Sequence, residues 1–372
     1  MKKVLLTATV QSHICQFHKP LVEMLHENGY EVEVAARNNL AEKNGLKLDF
    51  VDNVYEISFQ RSPFNLKNIG AYRQLKQIID NGGYDVIHCN TPVAGVLTRL
   101  AARKKRKQGT KVVYTAHGFH FFKGAPLSAW LVWYPIEKFM AKKCDILVTV
   151  NEEDYEFART HFRTRVEHIH GVGVDEKRFH PVTPEEQHEM RTKEDLSDDD
   201  FVVLCTGELL PNKNQKTLIE ATALIKESIP NIKVLLAGNG PEEANLRGLI
   251  NKLNLKNEVR LLGYRKDLEN IVPAIDVAVS CSYREGMPLN IIEAMLCAKP
   301  VIASNNRGHN ELVEYGITGY LIEPNDKIFL SKIISTLAAD ELTKKNMGMA
   351  GRRCAQHYSL SEVYKELKKA YS

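Results

Sequence analysis

The sequence predicts an α/β protein of two doubly wound domains, each a mainly parallel sheet covered by helices. Three observations carry this expectation. A length of 372 residues exceeds what one core of ordinary size requires. Short runs rich in Val, Ile and Leu alternate with helical patterns along the whole chain. A polar stretch with two prolines, 171–200, separates two such series and reads as a linker.

In the first series the apolar runs fall at 3–10, 31–36, 85–90, 111–117 and 145–151; in the second, at 201–209, 233–240, 259–263, 276–282 and 300–304. Runs that are apolar on both faces belong to buried parallel strands, and such sheets bind ligands beyond the carboxyl ends of their strands. The domains are expected at 1–175 and 176–355, with a closing helix over 356–372 that returns to the first domain.

Composition narrows the class. The start, MKKVLLTATVQSH, holds too short an apolar run for a spanning helix and no small-residue cleavage site, so it reads as a first strand. Seven scattered cysteines without a CxxC pair imply free thiols, a reducing compartment and a cytoplasmic protein. Between Arg61 and Lys143 stand fifteen Lys/Arg and three acids, a local +12 within a net charge of +4. Its densest part, Arg103 to Lys107, reads either as a solvated helix end or as a face for an anionic phospholipid surface. No nucleic-acid motif accompanies it, so no nucleic-acid partner is expected. The segment 119–143 holds both tryptophans, Trp130 and Trp133, among lysines, a composition suited to a helix core or a membrane interface.

The most specific motif is SCSYREGMPLNIIEAMLCAKPVIAS, 280–304. A strand ending near Ser282, a turn through Gly286 and Pro288, and a helix from about Pro288 to Ala298 follow from its boundary residues. Glu285 lies in the turn and Glu293 inside the apolar helix, where a charge is costly without partners. The helix head at Pro288, Leu289 and Asn290 offers free N–H groups and a positive dipole end to a diphosphate. Glu285 suits sugar hydroxyls and Glu293 a vicinal diol such as ribose. Lys213, in TGELLPNKNQKTLIEA (206–221), suits phosphate at a strand-to-helix turn. Gly238 and Gly240 lie in a strand–turn–helix segment that lets backbone approach closely, but the full dinucleotide fingerprint is absent, which weighs against a dehydrogenase.

Glu285 and Glu293 within REGMPLNIIEAM…KPVIAS resemble the E-x7-E motif of retaining glycosyltransferases of family 4, which have the GT-B fold of two Rossmann-like domains facing across a cleft. The opening TATVQSHICQFHKPLVEML and the segment TAHGFHFFKGAP are similar to bacterial capsular and exopolysaccharide transferases. The resemblance implies a UDP-sugar donor carrying an N-acetylhexosamine or related sugar, a lipid-linked saccharide acceptor, work at the inner face of the cell membrane, and no metal or other cofactor. It implies catalytic roles for Glu285, Lys213 and His117, the last against the donor sugar, and base reading near Tyr264 and Arg265. The loop after the first strand, with Ser12 and His13, then faces the donor phosphates or the acceptor. Where the family carries a diphosphate-neutralising Arg, this chain has Glu208, leaving Arg265 or Arg284 to supply the charge. A UDP-N-acetylglucosamine 2-epimerase-like enzyme and a catalytically silent scaffold are the alternatives. The D-x-D at Asp198–Asp200 reads as a cap or solvated loop. His120 follows His117 by three residues but has no acidic or sulfur partners nearby, so no metal site is expected.

Overall fold

The computed structural model describes residues 1–42 and 45–371, so the last position of the expected closing helix, 372, lies outside the described residues. The chain divides into two compact units, Met1–Gly173 with Glu362–Ser372, and Val174–Ser361.

The first unit is built on β1 (Lys2–Val10), β2 (Tyr30–Arg37), β3 (Asn53–Glu56), β4 (Val86–Asn90), β5 (Lys111–Ala116), β6 (Ile146–Thr149) and β7 (Arg165–His168). They form one parallel sheet in the order β3-β2-β1-β4-β5-β6-β7. Its two faces carry separate cores. One packs Leu75, Ile79 and Phe121 against Leu5 and Leu147. The other packs Leu21 and Leu25 against Val4 and Leu6, and takes in Val363 and Leu367 of the last helix, Leu360–Tyr371. That helix is tied to the sheet where His88 meets the Tyr371 hydroxyl at 2.6 Å and where His170 meets Glu366 at 2.7 Å.

The second unit contains β8 (Phe201–Thr206), β9 (Ile232–Ala237), β10 (Val259–Gly263), β11 (Val277–Ser280), β12 (Val301–Ser304) and β13 (Gly319–Ile322), parallel in the order β10-β9-β8-β11-β12-β13. In each unit strand order reverses beside the first strand, at β1/β4 and at β8/β11. Open α/β sheets bind ligands at such switch points.

The ten apolar runs are all strands, while β3, β7 and β13 were not foreseen. All three are edge strands of four residues, and the exposed sides of NVYE and RVEH carry no apolar pattern to read. The expected linker also differs. Most of 171–200 is packed into the second unit and includes a helix, Pro184–Lys193, opened by a Thr183–Glu186 capping box. The buried Arg191 explains this: its guanidinium meets Asp276 at 2.8 Å and donates to the carbonyls of Ala274, Asp198 and Asp200. A charge so fully partnered is tolerated inside.

Candidate functional site

In the second unit, the site forms where the loops after β8 and β11 meet. The turn Pro211–Lys213 is fastened to the loop after β11 by three bonds. Tyr283 N–H donates to the Asn212 carbonyl at 2.8 Å, Asn212 Nδ2 to the Arg284 carbonyl at 3.0 Å, and Asn214 Nδ2 to the Cys281 carbonyl at 3.3 Å. This stitching sets Lys213 Nζ 2.6 Å from Glu285 Oε1, both side chains largely covered. Two residues 72 apart in sequence thus form the ion pair at the centre of the site.

The helix Leu289–Leu296 starts just beyond Glu285, with Pro288 as its N-cap rather than its first helical residue. Ile291 N–H bonds the Pro288 carbonyl at 3.1 Å, so the N–H groups of Leu289 and Asn290 lie ahead of the first intrahelical bond. Asn290 Nδ2 donates to the Thr206 carbonyl at 3.2 Å, anchoring this helix head to the end of β8. One turn deeper, burial pushes the Glu293 carboxyl up to about 8; the Arg178 guanidinium pulls it down and the Glu269 carboxylate opposes that. At neutral pH it keeps its proton and can both donate and accept.

Gly238 and Gly240 serve a second purpose besides open access. A Cβ on Gly238, at φ 153°, would lie 1.9 Å from the Gly207 carbonyl oxygen, and one on Gly240 would lie 2.4 Å from that of Leu209. The loop after β9 therefore packs backbone to backbone on the loop after β8. Tyr264 is exposed at the end of β10. The Arg265 guanidinium is held by Glu194 at 2.7 and 2.9 Å and by Asp267 at 2.7 and 2.8 Å. It is therefore not free to replace the charge missing at Glu208, and the exposed Arg284 beside Glu285 remains.

Sequence reasoning passed over His309. Fully buried, it lies on the short helix Arg307–Leu312, with Nδ1 2.7 Å from the Ser304 carbonyl and Nε2 without a partner. Burial pulls its pKa below the ordinary histidine value, while the Ser304 carbonyl and the Glu285 carboxylate oppose that shift and Lys213 adds to it. The signal was there: SNNRGHNEL follows β12 with Asn306 as an N-cap accepting from Gly308 and His309.

In the first unit, no loop follows β1; the helix Gln11–Phe17 begins at once. Ser12 is buried and braced by Asn39, which accepts from its N–H at 3.1 Å and donates to its hydroxyl at 2.9 Å. His13 and His117, placed after β1 and β5, meet edge to face with ring centroids 4.6 Å apart, and His18 lies within 5.3 Å of both. His120 stacks on Trp133 at 4.6 Å. Both tryptophans pack against the core rather than outward, and Trp130 Nε1 donates to the Phe122 carbonyl at 3.3 Å. The exposed apolar side chains of their helix, Leu127–Ala141, are Leu127, Leu131, Val132 and Phe139. Arg99 does not contribute to the basic surface: fully buried, it pairs with Glu137 at 3.0 Å. No helix among the described residues is long and apolar enough to cross a membrane.

The profile of the family described as glycosyl transferases group 1 matches residues 186–353, and that of glycosyltransferase family 4 matches 20–178. EpsD of Bacillus subtilis (strain 168), which bears glycosyltransferase as a provisional description, is 43% identical over 373 residues, spanning 100% of this chain and 96% of EpsD. The UDP-Gal:alpha-D-GlcNAc-diphosphoundecaprenol alpha-1,3-galactosyltransferase of Escherichia coli is 33% identical over 78% of this chain and 76% of its own. Among solved structures, HepE of Anabaena in complex with UDP-glucose superposes with a TM-score of 0.77 at 22% identity, covering 100% of this chain and 99% of HepE. WaaG, a glycosyltransferase involved in lipopolysaccharide biosynthesis, gives 0.75 at 15% identity over 99% and 98% of the two chains. These likenesses establish the GT-B architecture of two Rossmann-like units.

Proposed function

We propose, for a chain that belongs to the group 1 and family 4 glycosyltransferases, that it is a metal-independent retaining enzyme of polysaccharide assembly. It moves a sugar, an N-acetylhexosamine or a related hexose, from a UDP-sugar to a lipid-linked saccharide. The observation that carries this reading is the Lys213–Glu285 pair at 2.6 Å beside the head of the Glu293 helix.

The chemistry follows from what each group can do. The diphosphate sits at the helix head formed by Gly286, Pro288, Leu289 and Asn290, where N–H groups and dipole favour negative charge. Lys213 then exchanges its carboxylate partner for phosphate oxygens, releasing Glu285 to accept from sugar hydroxyls. Glu293 binds the ribose diol. Tyr264 and the Arg265 backbone border the base, Gly238 and Gly240 keep the approach open, and Arg284 adds charge where Glu208 replaces the family Arg. In the first unit His117, Ser12 and His13 serve the donor sugar and the acceptor side. In the front-face route, the bond from the anomeric carbon to the leaving phosphate oxygen breaks while the acceptor oxygen bonds to the same face. The acceptor proton passes to the departing phosphate. Lys213 and the helix dipole stabilise that phosphate, so the step needs no ion between protein and diphosphate.

A lipid-linked acceptor is supported by the diphosphoundecaprenol acceptor in the name of the E. coli relative. It fits a first unit that presents Leu127, Leu131 and Phe139 together with Lys138 and Lys142 along one helix, near in sequence to the basic run 103–107. Apolar side chains interleaved with cations suit peripheral binding to an anionic leaflet.

A panel of UDP-sugars, each with and without a polyprenyl-diphosphate saccharide, tests the reading by UDP release in the presence of EDTA. Acceptor-dependent release that survives the chelator is the expected result. A UDP-sugar epimerised without acceptor points to the epimerase-like alternative, and binding without turnover to a silent scaffold.

A further inference from the structure

We propose that the head of the helix Arg307–Leu312 positions Glu285 for transfer, with Asn306 and Gly308 as the positioning residues. The proposal rests on the reading of Glu285 as the donor-sugar ligand and adds what sets its height beside the diphosphate seat.

The segment 281–288, between β11 and the Glu293 helix, belongs to no helix or strand, so its shape must come from what surrounds it. Asn212 and Asn214, after β8, hold one side of it. The loop after β12 holds the other. There the buried Ser282 carbonyl accepts from the buried Ser304 hydroxyl and from Asn306 Nδ2, the latter at 3.0 Å. The Asn306 amide cannot be turned round, because its Oδ1 accepts from the N–H groups of Gly308 and His309, each at 3.1 Å. One side chain thus caps a helix and grips the turn opposite it.

Gly308 supplies contact where Asn306 supplies bonds. A Cβ there would lie 2.8 Å from the Gly286 carbonyl oxygen and 2.9 Å from that of Glu285. The backbone at Gly308 is not left-handed, so contact alone demands glycine. The helix head therefore lies flat against two residues, the one that takes the sugar and the first of the diphosphate seat. When Lys213 turns from Glu285 to phosphate, the carboxylate loses its side-chain partner. The backbone beneath it then depends on this clamp and on Asn212. A misplacement of about 1 Å at such a group can slow a reaction by about 10²-fold.

The test compares Asn306→Ser, Gly308→Ala and Asn305→Ala with the original protein. Three quantities are read: kcat with the UDP-sugar that the original turns over, UDP binding by calorimetry, and melting temperature. Serine caps a helix about as well as asparagine but has no amide to donate. The Ser282 carbonyl meanwhile keeps the Ser304 hydroxyl. Asn306→Ser should therefore melt within about 4 °C of the original. Its kcat should fall roughly tenfold while UDP affinity stays within about threefold. Gly308→Ala should lower kcat further, by about 10²-fold. Asn305→Ala, at a side chain that bonds Glu323 and Asn310 at 2.8 Å each, should leave all three quantities unchanged. If Gly308→Ala does not fold, Asn306→Ser decides. An undiminished kcat in Asn306→Ser makes Asn306 a helix cap only and overturns the proposal, as does a loss of UDP affinity equal to the loss of kcat. An original protein that turns over no UDP-sugar overturns the transferase reading itself, and this proposal with it.

Discussion

The two switch points of this chain manage charge in opposite ways. At β8/β11 the groups are ionic and already paired, Lys213 with Glu285; Arg265, after the edge strand β10, is likewise held by Glu194 and Asp267. At β1/β4 and the adjoining end of β5 they are neutral imidazoles, two with buried nitrogens that bond to nothing. A paired ion can exchange its partner for a phosphate at little net cost, because one charge-assisted bond replaces another. An orphan nitrogen gains whenever anything binds it. On the proposed reading the second unit takes an anionic ligand, and the first meets the uncharged hydroxyl groups of a sugar.

Breaking the ionic side should have the largest effect. Lys213→Ala should lower kcat by about 10²-fold or more at saturating donor, the usual loss when one charge stabiliser is removed. The protein should still fold, because the side chain leaves a polar turn and is not part of either core. An unchanged kcat assigns the leaving-group role to Arg284.

Glu293→Ala should weaken UDP binding by roughly 10- to 100-fold, measured by calorimetry, because it removes a bond to a group half in the core. The pH dependence sharpens the assignment. The folded protein holds the Glu293 proton up to about 8, whereas the unfolded chain releases it near 4.5. Between those values the unfolded state binds fewer protons, so this group's contribution makes stability fall as pH rises through the window and level off above it. Glu293→Gln removes that slope. Its melting temperature should match the original near the bottom of the window and exceed it near the top. A constant difference across the window contradicts a raised carboxyl.

A smaller effect belongs to the outer face of the first unit. Neutralising Arg103, Lys104, Lys105, Arg106 and Lys107 should reduce sedimentation with anionic vesicles while leaving UDP-sugar hydrolysis intact. Each cation near such a surface contributes about 1 kcal/mol, screened by salt. Adding Leu131→Asp should reduce binding further, since Leu131 is 70% exposed on the helix face. Equal sedimentation of original and variants leaves the basic run a solvated helix end.

What the sequence disclosed follows the same division. Glu285, Glu293 and Pro288 fall within one short segment whose spacing and boundary residues can be read directly, and the central strands announce themselves by being apolar on both faces. Partners far apart in sequence could not be read this way. Lys213 was singled out as a phosphate ligand, but only the bonds from Asn212 and Asn214 to the loop after β11 bring it to Glu285. The histidines at 13, 18 and 117 meet because β1 and β5 both flank β4. That adjacency is a property of strand order, which periodicity does not encode. Trp130 and Trp133 left helix core and membrane interface both open, because aromatic composition says nothing about which side of a helix faces the core; the structure packs both against the core.

The central claim is transfer with retention at the second unit's diphosphate seat. It is tested most directly by proton NMR of the product formed from an α-linked UDP-N-acetylhexosamine and a polyprenyl-diphosphate saccharide. An α-linked product, formed by the original protein and lost in Lys213→Ala, is what the account predicts. A β-linked product, or UDP-sugar epimerised without any acceptor being glycosylated, contradicts it.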